Sequence, residues 1–187
     1  MFSAGATPYF EALHGISEGE IMRCLALAVL CLVAAGCAPK VIRPQAPFVE
    51  SEYAAYRGSG TGTIEGQGFL RQNGGGVVTC AGSKVWAAPA TAYSREMTGI
   101  FEAGWSQLTA DFVTIDNPNQ GRLFREGIER ETQCDAQGNF VFRNLPAGQW
   151  IVSTAVTWQV GYEAQGGYVR QETALADGQT VRLLLTR

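Results

Sequence analysis

Histidine is all but missing from this chain: among 187 residues the single imidazole is that of His14. Everything beyond it therefore lacks the commonest general base, the Ser–His and Cys–His nucleophile pairs, and the usual catalytic zinc ligand. Ser83, Ser94 and Ser153 sit in no nucleophile-elbow sequence, and Gly74–Gly76 lacks the Lys-Ser/Thr and helix of a phosphate-binding loop. The expected catalytic residues, metal ligands and cofactors are none. Long apolar runs are lacking too. The one sustained run, Cys24–Ala35, has 12 residues, and a membrane-spanning helix needs roughly 20. Excess charge of either sign is the third absence. From Cys37 onward there are 13 Lys+Arg (14 less Arg23) and 14 Asp+Glu (17 less Glu11, Glu18 and Glu20), a net charge of −1. Such a chain sets up no long-range field for nucleic acid, and no nucleic-acid partner is expected.

What is present begins with a leader. Residues 1–21 have no cationic start and no apolar run, but Met22-Arg23 supplies a positive charge, the apolar run follows, and Gly36-Cys37 closes it. Positive charge, short apolar stretch, small residue and cysteine, in that order, read as a secretory signal. Ala34-Ala35-Gly36-Cys37 resembles the lipobox of bacterial lipoproteins, with Ala34 where Leu is the commoner residue. The resemblance implies that Cys37 is acylated, palmitate included, and that the signal is cut before it. Met22 is then the expected true start, residues 1–36 are extension and signal, and the exported chain has 187 − 36 = 151 residues, enough for one domain. Several acyl chains on one cysteine satisfy the need for more than a single weak anchor. The expected place is the bacterial envelope, and Ala38 after the cysteine points to the outer membrane, facing the periplasm.

Five cysteines occur. Cys24 and Cys31 lie in the apolar signal and Cys37 is the lipid site, which leaves Cys80 and Cys134. In an oxidising compartment an even pair reads as a disulfide, and the alternative is two buried thiols. Zinc finds no third or fourth ligand.

Pro39, Pro44 and Pro47 make residues 37–52 a Pro-rich tether, with order expected from about Tyr53 and one domain over 53–187. The rest reads as short strands and turns: Gly60–Arg71 with Gly at alternate places, Val77–Thr91, Phe140–Phe142, Trp150–Trp158 with period two, and Val181–Thr186. Only Ser94–Phe101 suggests helix, with Ser94 a candidate cap. The pattern is all-β, a sandwich with at most one short helix. The segment TQCDAQGNFVFRNLPAGQWIV resembles the signature of carboxypeptidase regulatory-like domains, through Asp135, Gly138, Phe140, Phe142, Leu145, Pro146 and Gly148, with Trp150 in place of the usual Tyr. That resemblance implies a seven-stranded, transthyretin-like (prealbumin-like) sandwich over Gly60–Arg187, with 94–130 an insertion. It implies a non-catalytic domain.

Glu126, Glu129 and Glu131 cluster with Arg122, Arg125 and Arg130, and such alternating charge reads as a solvated face rather than an acid/base pair. Asp116–Asn119 reads as a turn, since it lacks the spaced acids of a calcium loop. Trp150 and Trp158 share one strand face and are assigned to the core. Tyr162 and Tyr168 flank Gly161–Gly167 and are the exposed candidates for ligand contact. The expected role is a non-enzymatic envelope protein with a structural or protein-interaction role, or alternatively a glycan- or peptidoglycan-binding module that uses the Tyr162–Tyr168 loop. The partners expected are the membrane, through Cys37, and another envelope protein or cell-wall glycan. Fractionation checks the anchor: Cys37→Ala is expected to release the protein into the soluble fraction or leave its signal uncut, and wild-type recovery in membranes would contradict it.

Overall fold

In β2 (Gly62–Arg71) alternate residues turn inward, and the inward set holds Gly62, Gly66 and Gly68 beside Ile64 and Leu70. The computed structural model, which describes residues 40–108 and 113–187, gives the reason for these glycines. A Cβ on Gly66 would stand 2.6 Å from the ring of Phe140, one on Gly62 2.6 Å from Leu175, and one on Gly68 2.8 Å from the sulfur of Cys80. Glycine at inward positions lets large neighbours reach across a narrow core.

Around β2 one mixed sheet assembles. β10 (Thr180–Leu185) lies parallel on one side. On the other, β7 (Asn139–Leu145) and then the short β3 (Val77–Thr79) run antiparallel. The second sheet is antiparallel, in the order β6 (Arg130–Gln133), β4 (Lys84–Pro89), β8 (Gly148–Val160), β9 (Glu163–Leu175). The apolar core between the sheets holds Ile64, Val85, Phe140, Phe142, Leu145, Trp150, Val152 and Leu185. Phe140 and Phe142 enter it as the sequence predicts, and Trp158 packs against it partly buried. The turn before them is an Asx turn: the Asp135 carboxylate accepts the backbone N–H of Gln137 (2.9 Å) and Asn139 (2.8 Å), and Gly138 follows at φ +81°.

Among the described residues there are ten strands. Eight of them, β2 to β4 and β6 to β10, form the two four-stranded sheets of the sandwich, one more than the seven that the resemblance implies, and β1 (Lys40–Ile42) and β5 (Val113–Ile115) form a separate three-residue pair. The expectation of at most one short helix fails. α1 (Ala92–Leu108) has 17 residues, α2 (Gln120–Arg125) has 6, and Glu50–Tyr56 forms a 3-10 helix. Thr91, not Ser94, caps α1: its hydroxyl accepts the Ser94 N–H at 3.1 Å. Order also begins before Tyr53. β1 pairs in parallel with β5, and the N–H groups of Gln45 (2.7 Å) and Ala46 (2.5 Å) bond the Glu96 carboxylate of α1. Phe48 stacks on Tyr53 at 4.8 Å. A Pro-rich stretch cannot form a helix, but its free N–H groups can still dock on a neighbour, so 40–52 is not a free tether.

Cys80 and Cys134 are bonded, with their Cα atoms 5.8 Å apart. Cys80 follows β3 of the first sheet and Cys134 follows β6 of the second, so the bond joins the two layers. Its loop spans 55 residues counting both ends, from a separation of 54. The chain-entropy argument gives about 4 kcal/mol for such a loop, a large share of the roughly 5–15 kcal/mol expected for a domain. Urea unfolding of the Cys80→Ser/Cys134→Ser double variant checks this, with a loss of about 4 kcal/mol expected.

Candidate functional site

The second sheet has a core face and an outer face, and the outer face is also covered. Register places Trp86 opposite Ser153 and Glu131, and Ser153 opposite Arg170, so these side chains and Tyr168 share the outer side. α1 lies across it. Its Tyr93, Met97 and Phe101 are spaced four apart, one stripe of a helix. The Phe101 ring stacks on Tyr168 at 5.4 Å. Two ion pairs flank the contact, Arg95–Glu172 at 3.0 Å and Arg170–Glu102 at 2.8 Å. Ile151 and Ser153 are buried for this reason, although strand alternation alone would put them in water.

Helix and sheet do not close completely. Between them is a cavity of about 300 Å³, at the small end of ligand pockets. Its aromatic walls are Trp86, Phe101 and Tyr168, and its polar groups are Ser94, Thr98, Asn117, Ser153 and Glu129. The aromatic walls are held in place. The Trp86 Nε1–H donates to Glu131 at 3.2 Å, and Glu131 is in turn paired with Lys84 at 2.9 Å. The Tyr168 hydroxyl shares a 2.7 Å hydrogen bond with Ser153, and burial pushes it up to about 12.

Glu129 comes from the loop before β6. Among the described residues its carboxyl makes no hydrogen bond or ion pair, and burial alone pushes it up to about 7. The groups around it are neutral hydroxyls: Tyr53 from the 3-10 helix and Tyr168 from β9, both of which feel its charge. The expectation of a solvated charged face thus holds for two of the three acids and fails for the third. Glu126 pairs with Arg57 and Glu131 with Lys84, whereas Glu129 lines the cavity. Its one sequence signal is parity with Glu131, which puts both on the face of Trp86.

The other predicted site residues divide. Tyr162 is fully exposed at the tip of the β8–β9 hairpin, beside an open groove lined by Trp158, Arg71 and Arg187. Tyr168 is not with it. It is 6% exposed, because register places it opposite Ala155 and under α1. The pair therefore forms no common exposed loop. Cys37 lies outside the described residues. Asp116–Asn119 is a turn region in which the Asn117 Oδ1 accepts the Tyr93 hydroxyl at 2.7 Å, and no group of potential metal ligands occurs among the described residues.

No protein-family model matches the chain, and no curated protein matches it in sequence. Among solved structures, the chain is similar to a candidate carbohydrate binding protein from Pseudomonas aeruginosa. Identity is 28%, the TM-score is 0.62, and the match covers 76% of this chain and 99% of that one. A minor pilin of Streptococcus agalactiae matches at 10% identity and a TM-score of 0.36, over 68% of this chain and 44% of that one, too distant to carry an argument.

Glu129 also sets a pH dependence. Its folded value of about 7 lies above its ordinary 4.5, so the unfolded chain gives up this proton first and stability falls as pH rises from about 4.5 through 7. At about 1.4 kcal/mol per pH unit the loss is capped at about 3 kcal/mol. Because residues 40–187 contain no histidine, no other side chain has its ordinary value between about 5 and 8. Urea midpoints measured from pH 5 to 8 are expected to fall for the wild type and stay level for Glu129→Gln.

Proposed function

We propose that the protein is a carbohydrate-binding module of the bacterial envelope, held to the membrane by lipid on Cys37, and that one sugar ring occupies the cavity under α1. The observation that carries this is the cavity itself: aromatic rings in its walls, with hydroxyl, amide and carboxyl groups among them to meet sugar hydroxyls. The likeness to a candidate carbohydrate binding protein supports the same reading. A binding role without catalysis is supported by the single acid among the described residues that line the cavity, since glycoside hydrolysis ordinarily uses two carboxylates. The leader supports export and anchoring. The Asp135 turn and the inward Phe140 and Phe142 support the likeness to carboxypeptidase regulatory-like sandwiches.

A protein-interaction role has one observation in its favour, the hairpin tip, where Tyr162 is fully exposed and Val160 half exposed. Calorimetric titration of the protein with cell-wall oligosaccharides separates the two readings. Binding is expected, with Trp86→Ala and Phe101→Ala each weakening it by about tenfold, the loss of about 1.4 kcal/mol of stacking, and Tyr162→Ala leaving it unchanged. Loss of binding in Tyr162→Ala alone would move the site to the hairpin.

A further inference from the structure

Resting on the carbohydrate reading, we propose that Glu129 makes the cavity selective for an amino sugar whose amine is free, so that a ligand ammonium group meets the carboxylate between the aromatic walls. Among the described residues that line the cavity, Glu129 is the only charged side chain: no second acid, lysine or arginine stands with it. Three of the four cations nearby are paired with other acids. Arg170 reaches the rim at the Thr98 hydroxyl (3.3 Å) but is paired with Glu102, and Arg95 is paired with Glu172. Lys84 is held by Glu131. Arg130 makes no ion pair among the described residues: its guanidinium donates to the Gly58 carbonyl at 2.7 Å and its Nη1 is buried without a hydrogen-bond partner, but register places it opposite Ala87, off the face that carries Trp86 and Glu131.

A half-buried carboxyl with no partner among the described residues is neutralised by a proton or by a cation brought from outside. A neutral sugar offers hydroxyl dipoles, whereas an ammonium group gives a charge-assisted hydrogen bond of roughly twice the strength. The same cation meets a space lined by the aromatic rings of Trp86, Phe101 and Tyr168. Acylating the amine removes the charge and adds bulk in a space of about 300 Å³. With the empty carboxyl near 7, the arriving ammonium displaces its proton to the solvent. Binding and proton release are therefore coupled.

The test is isothermal titration of the exported chain with glucosamine, glucose and N-acetylglucosamine at pH 6.5, in phosphate and in HEPES, whose ionisation heats differ. Glucosamine is expected to bind at least tenfold more tightly than the other two. Its binding should release more than half a proton, the share still bound to a group with a value of about 7. Glu129→Gln should lose the preference, with glucosamine falling to the affinity that the variant shows for glucose. Equal affinity for the three sugars, or a preference that survives Glu129→Gln, overturns the amino-sugar proposal and leaves the carbohydrate reading standing. Absence of binding by all three overturns both. If Glu129→Gln does not fold, the wild type alone decides, because glucosamine binding without proton release also overturns the proposal.

Discussion

The docking of α1 on the outer face of the second sheet is the contact on which the candidate site depends. In a two-layer sandwich each sheet ordinarily buries one face and leaves the other to water. Here β4, β8 and β9 are covered on both sides, by the core within and by α1 without. Arg95–Glu172 and Arg170–Glu102 are partly exposed pairs, each contributing at most about 1 kcal/mol. Tyr93 and Met97 are buried, each stabilising the contact by roughly 1.5–3 kcal/mol. Apolar burial therefore holds the helix on the sheet, and the ion pairs set its register. The helix presents a stripe and the sheet a twisted plane, so the two meet along a line. The space left beside that line is the cavity.

The electrostatics of that space run against stability. An ionised carboxylate taken out of water without a partner costs several kcal/mol unless it is paired or protonated. The same short stretch of chain pairs Glu126 and Glu131 with basic neighbours and, among the described residues, leaves Glu129 without one. A glutamine there would serve packing equally well at less cost. The hydroxyls of Tyr53, Thr91 and Ser94 are bonded to one another at 2.7 Å and 3.2 Å just behind it, so buried polar groups elsewhere in this region do find partners. An isolated acid beside a satisfied network points to a site that gives up stability for recognition.

Much of the sandwich could be read before the structure. Period two in Trp150–Trp158, the Asp135–Gly138 turn and the pairing of Cys80 with Cys134 depend on local chemistry or on two residues, and each appears as expected. The inward glycines of β2 were visible as a pattern, but their cause, close approach by Phe140, Leu175 and Cys80, is a tertiary fact. The candidate site was less legible. α1 carries Gly99 and Gly104, each about 1 kcal/mol worse than alanine in a helix, and it is stabilised by a sheet 40 to 80 residues further along the chain. No local signal records such a contact. The same gap misplaced Tyr168, since alternation leaves open which face of a sheet is covered. Glu129 was hidden by its neighbours, because a run of mixed charge looks solvated until one member is found turned inward.

A small cavity gains little binding energy, so it cannot also bear the cost of ordering its own walls. The division of labour in this fold meets that constraint. The floor belongs to the sandwich, whose layers are tied by the disulfide, and its Trp86 and Tyr168 are fixed by hydrogen bonds to Glu131 and Ser153. The roof and Glu129 belong to the segment between β4 and β6, which is clamped in turn. Phe101 stacks on Tyr168, and the Glu129 N–H bonds the Leu123 carbonyl at 3.2 Å beside the fully buried Ile128. The exposed hairpin has no such support: Tyr162 stands fully in solvent at its tip, and any partner there would have to order it. Preorganisation therefore favours the cavity under α1 over the hairpin groove as the place where a single small ligand binds, although the groove is larger.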